Sequence, residues 1–214
     1  MKSLTILLTL IFSAALFAGK VSFKKGDGFN PATKTIVTMA PYNSKSKKVD
    51  NKDAALDAFE KVVALKMADV YDKTIPGGDA VMLAADELGI KKEFEKALTT
   101  IVQVAIDKKS TSLDAAKGTL DKLAKKLGVE SFAFPVGKGG SKELSDKKEI
   151  KLYVVVYDVA AGKVQYVAET KIKLPKMLFM GFGISKDKIK KAATAQATDA
   201  GNDIMKKVKE EVKK

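Results

Sequence analysis

The chain has 214 residues, 46% of them hydrophobic, which is enough for a real core in one domain. It contains no cysteine, histidine or tryptophan, and all 39 basic residues are lysine. This excludes disulfides, thiol chemistry and Cys-ligated metal, and it removes the commonest general base, the commonest metal ligand and the bidentate Arg fork. The net charge of +13 is not a nucleic-acid signature, because the lysines alternate with 26 acids and no basic tract is interleaved with aromatics.

Residues 1–18 have the layout of a secretory signal peptide: Lys2, an uncharged apolar run from Leu4 to Phe17, then the small residues Ala14, Ala15, Ala18 and Gly19. Cleavage is expected near Ala18, although Leu16 stands where a small residue is preferred. The run is short for a membrane span, and an uncleaved anchor is the alternative. Export to the periplasm or the medium is the expected localisation.

Residues 19–34, with Gly26, Gly28, Asn30 and Pro31, read as a flexible leader carrying a short strand at Val21–Phe23. Thr35–Ala40 is apolar on both faces, as a central strand is, and ends at Pro41-Tyr42. Asp53 is placed to cap a helix reaching about Asp72, with Leu56, Phe59, Val63, Met67 and Val70 in one stripe. Helix-spaced pairs such as Asp57 with Lys61 and Asp69 with Lys73 are expected along it. Ile75-Pro76-Gly77-Gly78 breaks the pattern.

Asp79–Leu88 and Lys91–Asp107 follow as two helices, the second with Phe94, Leu98, Ile101 and Ala105 inward. Thr111 with Asp114 resembles a capping box ahead of a helix bearing Leu113, Ala116, Leu120, Leu123 and Leu127, which Gly128 ends in a left-handed cap. Gly128–Gly137 reads as a strand entered straight from the helix, which Pro135 ends, bulges or places at an edge.

The strongest signal runs from Glu149 to Leu174: two long antiparallel strands joined at Gly162. In the second, Val164, Tyr166, Ala168, Ile172 and Leu174 define a packed face, and Lys163, Gln165, Glu169, Lys171 and Lys173 a wet one. The first strand, apolar toward both faces at Tyr153, Val155 and Tyr157, is the more central. A last helix starts at the Ser185 cap, between Ile184 and Ile189, and carries a stripe of Ala193, Ala197, Ala200, Ile204 and Val208.

This order gives an α/β fold: an α/β sandwich with a mixed, mostly antiparallel-edged sheet of about four strands flanked by helices. Residues 35–214 form a single domain with a helical insertion at about 77–109.

Three landmarks carry a family resemblance. Ile36–Asn43 is a hydrophobic strand ending in Pro-aromatic, and Leu127–Phe134 is a helix-Gly-strand entry. Val156–Tyr166 is a hairpin in which a hydrophobic-Asp-hydrophobic run leads through Gly162 to an aromatic. As an ordered set they resemble the TolB N-terminal-like and CsgG/LpoB-like envelope domains. The resemblance implies a non-catalytic periplasmic module that docks on other envelope proteins, and it transfers no site residues. Many members carry a lipidated N-terminal cysteine; this chain has none.

The residues themselves assign no catalytic, cofactor-binding or metal role. Ser-x-x-Lys at Ser185/Lys188 lies at a helix start but lacks the Ser-Asp-Asn and Lys-Thr-Gly partners of penicillin-recognising enzymes, so Ser185 reads as a cap. Gly137–Ser141 has the wrong Lys/Ser spacing for a phosphate loop and precedes a strand. Asp158 beside Gly162 reads as turn chemistry.

One segment resists a purely structural reading. Met177, Leu178, Phe179, Met180 and Phe182 form an apolar run between strand and helix, flanked by Lys173 and Lys176. Buried, it seals the end of the sheet; exposed, it is a contact site. The leading expectation is a non-enzymatic exported accessory module that docks on envelope proteins. The alternative is a binder of anionic membrane lipid or envelope polymer, through Lys45, Lys47, Lys48 and this apolar loop. A secreted enzyme comes third.

Overall fold

A computed structural model describes residues 20–44, 47–49, 53–138, 149–173 and 185–214. Five helices among them sandwich a mixed sheet. The strands are β1 (Ser22–Lys25), β2 (Thr35–Thr38), β3 (Tyr42–Asn43), β4 (Lys48–Val49), β5 (Lys73–Pro76), β6 (Ser131–Lys138), β7 (Glu149–Asp158) and β8 (Lys163–Lys173). The helices are α1 (Ala54–Met67), α2 (Gly78–Glu87), α3 (Lys91–Asp107), α4 (Asp114–Leu127) and α5 (Lys186–Val212).

The sheet runs β1-β8-β7-β6-β2-β5, with β3 beside β6 and β4 beside β3. The antiparallel pairs are β1–β8, β8–β7, β7–β6 and β3–β4. Those of β2 with β5 and β6, and of β3 with β6, are parallel. The mixed α/β sandwich therefore stands, and β7 is central as its two apolar faces predict. The sheet exceeds four strands because β1, β3, β4 and β5 are too short to show a period of two.

Each face of the sheet carries its own core. Ile150, Leu152, Val154 and Val156 of β7 pack with Tyr166, Ala168 and Ile172 of β8 under α1 and α5. Tyr153, Val155 and Tyr157 pack with Phe132, Phe134 and Val136 of β6 under α2, α3 and α4. Burying both faces is what gives β7 its nearly unbroken apolar run.

Local chemistry accounts for the element ends. Asp53 Oδ1 accepts from the Ala55 and Leu56 N–H groups at 3.0 Å each, capping α1 as expected. Gly128 closes α4 at φ +67°, a left-handed cap. The α4 start differs from the capping box: the helix begins at Asp114, and the Ser112 hydroxyl, not Thr111, accepts the Asp114 N–H at 3.1 Å. Helix α1 stops at Met67 rather than near Asp72, because the chain turns to place Lys73–Pro76 parallel to β2. Asp57 and Lys61 make their i,i+4 pair at 2.8 Å, whereas Asp69 lies past the helix and pairs with Lys66 at 3.8 Å.

Pro135 neither ends nor edges β6. Ala133 accepts from the Met39 N–H, so Ala133 and Pro135 both turn their backbone polar groups toward β2 and β3. Pairing on that side passes from β2 at Ala133 to β3 at Val136. The missing donor falls in that break, where the ladder asks for none.

The hairpin holds the main correction. A bulge between Val156 and Tyr157 pairs Val156 with Tyr166 and Tyr157 with Val164, leaving Gln165 as the extra residue. Val164 consequently packs on the α2–α4 side with Val167, opposite to Tyr166. Gln165, expected on the wet face, is 1% exposed. Its Nε2 lies 2.8 Å from Thr33 Oγ1, 2.9 Å from Ser131 Oγ and 3.1 Å from Asp158 Oδ2, so the buried amide is satisfied.

The leader follows β8. Its Ser22–Lys25 segment is an edge strand, and the Gly26 and Gly28 N–H groups donate to the Gln165 and Val164 carbonyls. Phe23 continues the α1/α5-side core, its ring 5.1 Å from that of Tyr166.

Candidate functional site

A groove of about 490 Å³ opens on the α2–α4 face of the sheet, where β1, β8 and β7 extend beyond the helices. Its floor is set by strand register. Glu169 of β8 stands between Tyr153 of β7 and Ser22 of β1, and Val167 stands between Val155 and Lys24. The bulge at Gln165 adds Val164 to this face. The far wall is the end of α3, at Val104–Ile106, with Lys108 and Leu113 beyond it. Lys108 caps α3 in the left-handed region, at φ +53°, bringing a cation to the negative end of the helix dipole.

The polar lining is strongly one-sided. Six lysines, at positions 24, 25, 108, 138, 151 and 163, face two carboxylates, Asp27 and Glu169. Two of the six are engaged: Lys138 pairs with Asp107, and Lys25 lies 4.2 Å over the Phe29 ring. Lys24, Lys108, Lys151 and Lys163 make no ion pair with a described residue. Burial, with the nearby Glu169 and Asp107 carboxylates, raises the Tyr153 phenol above its usual range, so the groove presents it as a neutral hydroxyl. The groove thus offers an apolar floor, one phenol and a cationic rim, the composition of a binding surface.

A second hollow, of about 550 Å³, lies near Asn30, Thr35, Glu130 and Asp158. Of its carboxylates, Asp121 pairs with Lys117, and Glu130 and Asp158 hold the chain. Glu130 Oε2 accepts from the Lys34 N–H at 2.7 Å and the Thr35 N–H at 3.1 Å, and these backbone bonds lower its pKa. Asp158 Oδ1 accepts from the Ala161 N–H at 2.7 Å in the turn that Gly162 closes at φ +66°, as the turn reading expects. Among the described residues, no group of three acids could hold a metal ion.

Of the contact residues expected from the sequence, Lys173 is exposed at the end of β8, its Nζ 3.9 Å from Glu149. Lys176, Met177, Leu178, Phe179, Met180 and Phe182 lie outside the described residues, as does Lys45. Lys47 sits in a turn at φ +55°, and Lys48 opens β4. Ser185 caps α5, accepting from the Lys188 N–H at 3.4 Å. The groove was not visible in the sequence, since its residues come from five separated stretches.

No helix among the described residues is long and apolar enough to cross a membrane. No protein-family model matches the chain, and no curated protein matches it. Among solved structures it is similar to a PelC dodecamer from Paraburkholderia phytofirmans, at 13% identity and a TM-score of 0.39, over 87% of this chain and 97% of that one. It is also similar to the LpoB C-terminal domain from Escherichia coli, at 12% identity and a TM-score of 0.42, over 77% and 94%. The same domain from Salmonella enterica is 12% identical, with a TM-score of 0.41 over 69% and 87%. These are distant likenesses. LpoB is one of the groups that the sequence landmarks resemble; the TolB-like and CsgG-like parts of that resemblance rest on the landmarks alone.

Proposed function

We propose that this protein is a non-enzymatic accessory module, exported through its N-terminal signal segment, that docks on a larger cell-envelope assembly. The observation that carries this reading is the groove: an open surface with an apolar floor and a cationic rim, built on rigid strands. It sits in a chain without histidine or cysteine, the residues that most often act as base and nucleophile. The signal segment supplies the compartment. Lys173, Lys176 and the Met177–Phe182 run supply a second docking element at the end of β8.

In-cell crosslinking with mass spectrometry of the periplasmic fraction tests the reading. The expected result is a chain beginning near Gly19, crosslinked to an envelope protein. A chain that keeps residues 1–18 in the cytoplasm, or one that crosslinks to nothing, overturns it. Phe179→Ser combined with Met180→Ser should abolish recruitment and leave Tm nearly unchanged. A large fall in Tm with recruitment intact removes the apolar run from the docking surface.

The rim lysines that pair with no described acid favour a second reading, binding of anionic membrane lipid or envelope polymer. Salt separates the two. Electrostatic binding of lipid collapses as ionic strength rises, whereas a packed protein interface weakens far less.

A further inference from the structure

We propose that the groove receives an acidic, extended segment of the docking partner, laid along the open edge of β1. The proposal rests on the docking reading and specifies the chemistry of the partner.

Among the described strands, β1 ends the sheet. Ser22–Lys25 pairs with β8 on one side and with no described strand on the other. Such an edge presents alternate N–H and C=O groups that an incoming strand can satisfy. Side chains of an added strand alternate between faces, and those on the groove side fall beside Ser22 and Lys24, at the rim of the floor that Val164, Val167 and Tyr153 form.

Charge selects the occupant. Lysines on an edge strand ordinarily deter strand addition, and Lys24 and Lys25 do so against a neutral or basic strand, including a second copy of this lysine-rich edge. Toward an acidic strand the same side chains attract. Lys24, Lys151 and Lys163 stand on three adjacent strands around the apolar floor, with Lys108 facing them from the end of α3. Glu169, on the floor beside Tyr153, is the local opposing charge, so the carboxylates of an added strand belong at the rim, beside Lys24, rather than over the floor. An alternating acidic and aliphatic strand meets this pattern: its carboxylates fall on the groove side, toward Lys24, and its aliphatic side chains on the other face, beside Phe23. A bilayer does not, because its headgroup plane cannot follow a concave floor.

The test uses the protein purified after export and a fluorescein-labelled peptide of alternating Glu and Val, read by anisotropy. The expected result is saturable binding that a Lys-Val peptide does not reproduce and that Lys151→Glu with Lys163→Glu weakens at least about tenfold. Lys163 stands opposite Asp158 across the hairpin, so Lys151→Glu alone, which should keep the wild-type Tm and weaken binding in the same direction, controls for folding. Amide NMR shifts should concentrate at Ser22–Lys25, Lys151–Tyr153 and Lys163–Glu169. Equal binding of the Lys-Val peptide, no binding of the Glu-Val peptide, or Glu-Val binding indifferent to the charge reversals overturns the proposal. So does binding only to phosphatidylglycerol vesicles, which makes the groove a lipid site. If the double variant still crosslinks its partner at wild-type yield in cells, docking stands and the groove assignment falls. If the wild-type chain crosslinks nothing, the docking reading itself has failed.

Discussion

Gly201 of α5 packs directly against Val62 of α1: a Cβ placed on Gly201 would lie 2.9 Å from Val62 Cγ1 and 3.0 Å from its Cβ. The absent side chain lets the two helices approach over the Phe59, Ala197, Ala200 and Ile204 layer of the core. Gly201→Ala gains helix propensity, about 1 kcal/mol, but a helical valine has one strongly preferred rotamer and cannot swing clear. The expected net effect is a loss of about 1–3 kcal/mol in urea unfolding. Val62→Ala in the same chain should recover much of it.

Tyr157 is fully buried, and its hydroxyl has no hydrogen-bond partner among the described residues. Burial, with the carboxylates of Asp121, Asp158 and Asp114 nearby, pushes the phenol up to about 12. Tyr157→Phe removes a desolvated polar atom and keeps the ring, so the variant should be as stable as the parent or up to about 1 kcal/mol more stable. A loss above about 1 kcal/mol in urea unfolding would show that the hydroxyl has a partner.

Glu60 on α1 titrates at about 7, raised first by burial and then by Asp57, with Asp79 adding and Lys61 opposing. Its folded pKa lies above its unfolded value of about 4.5, so the folded state holds the proton more tightly. Ionisation therefore costs stability progressively as pH rises from about 4.5 to about 7, and the cost is complete above that window. Glu60→Gln should raise Tm at pH 8 relative to wild type and change it little at pH 4. An equal effect at both values would assign the gain to something other than titration.

Gly26 lies directly over the Val164 carbonyl, where a Cβ would collide with backbone that cannot move aside. Gly26→Val should therefore lift the chain off β8 beyond the bulge. The expected signature in hydrogen exchange is faster exchange at Phe23–Lys25 with the α1/α5 core still protected. It should also weaken the Glu-Val peptide, because the strand that offers the docking edge is no longer fixed.

Much of the fold could be read from the chain because it depends on neighbours in sequence. The stripes of α1, α3 and α4, the Asp53 cap, the Gly128 stop and the Gly162 turn are set within a few residues. The double-faced apolar run of β7 likewise announces a strand covered on both sides. Tertiary structure decided what depends on distant partners. Strand β5 exists only because β2 offers it a parallel edge, and Pro135 is tolerated only because β2 gives way to β3 beside it. Gln165 is buried because one extra residue in β8 turns it toward Thr33, Ser131 and Asp158, which lie up to 132 positions away from it in sequence. The lysines were countable from the start, but their grouping at one groove was not. Alternation along a strand fixes which face a side chain occupies, whereas strand order and helix length decide whether that face is covered.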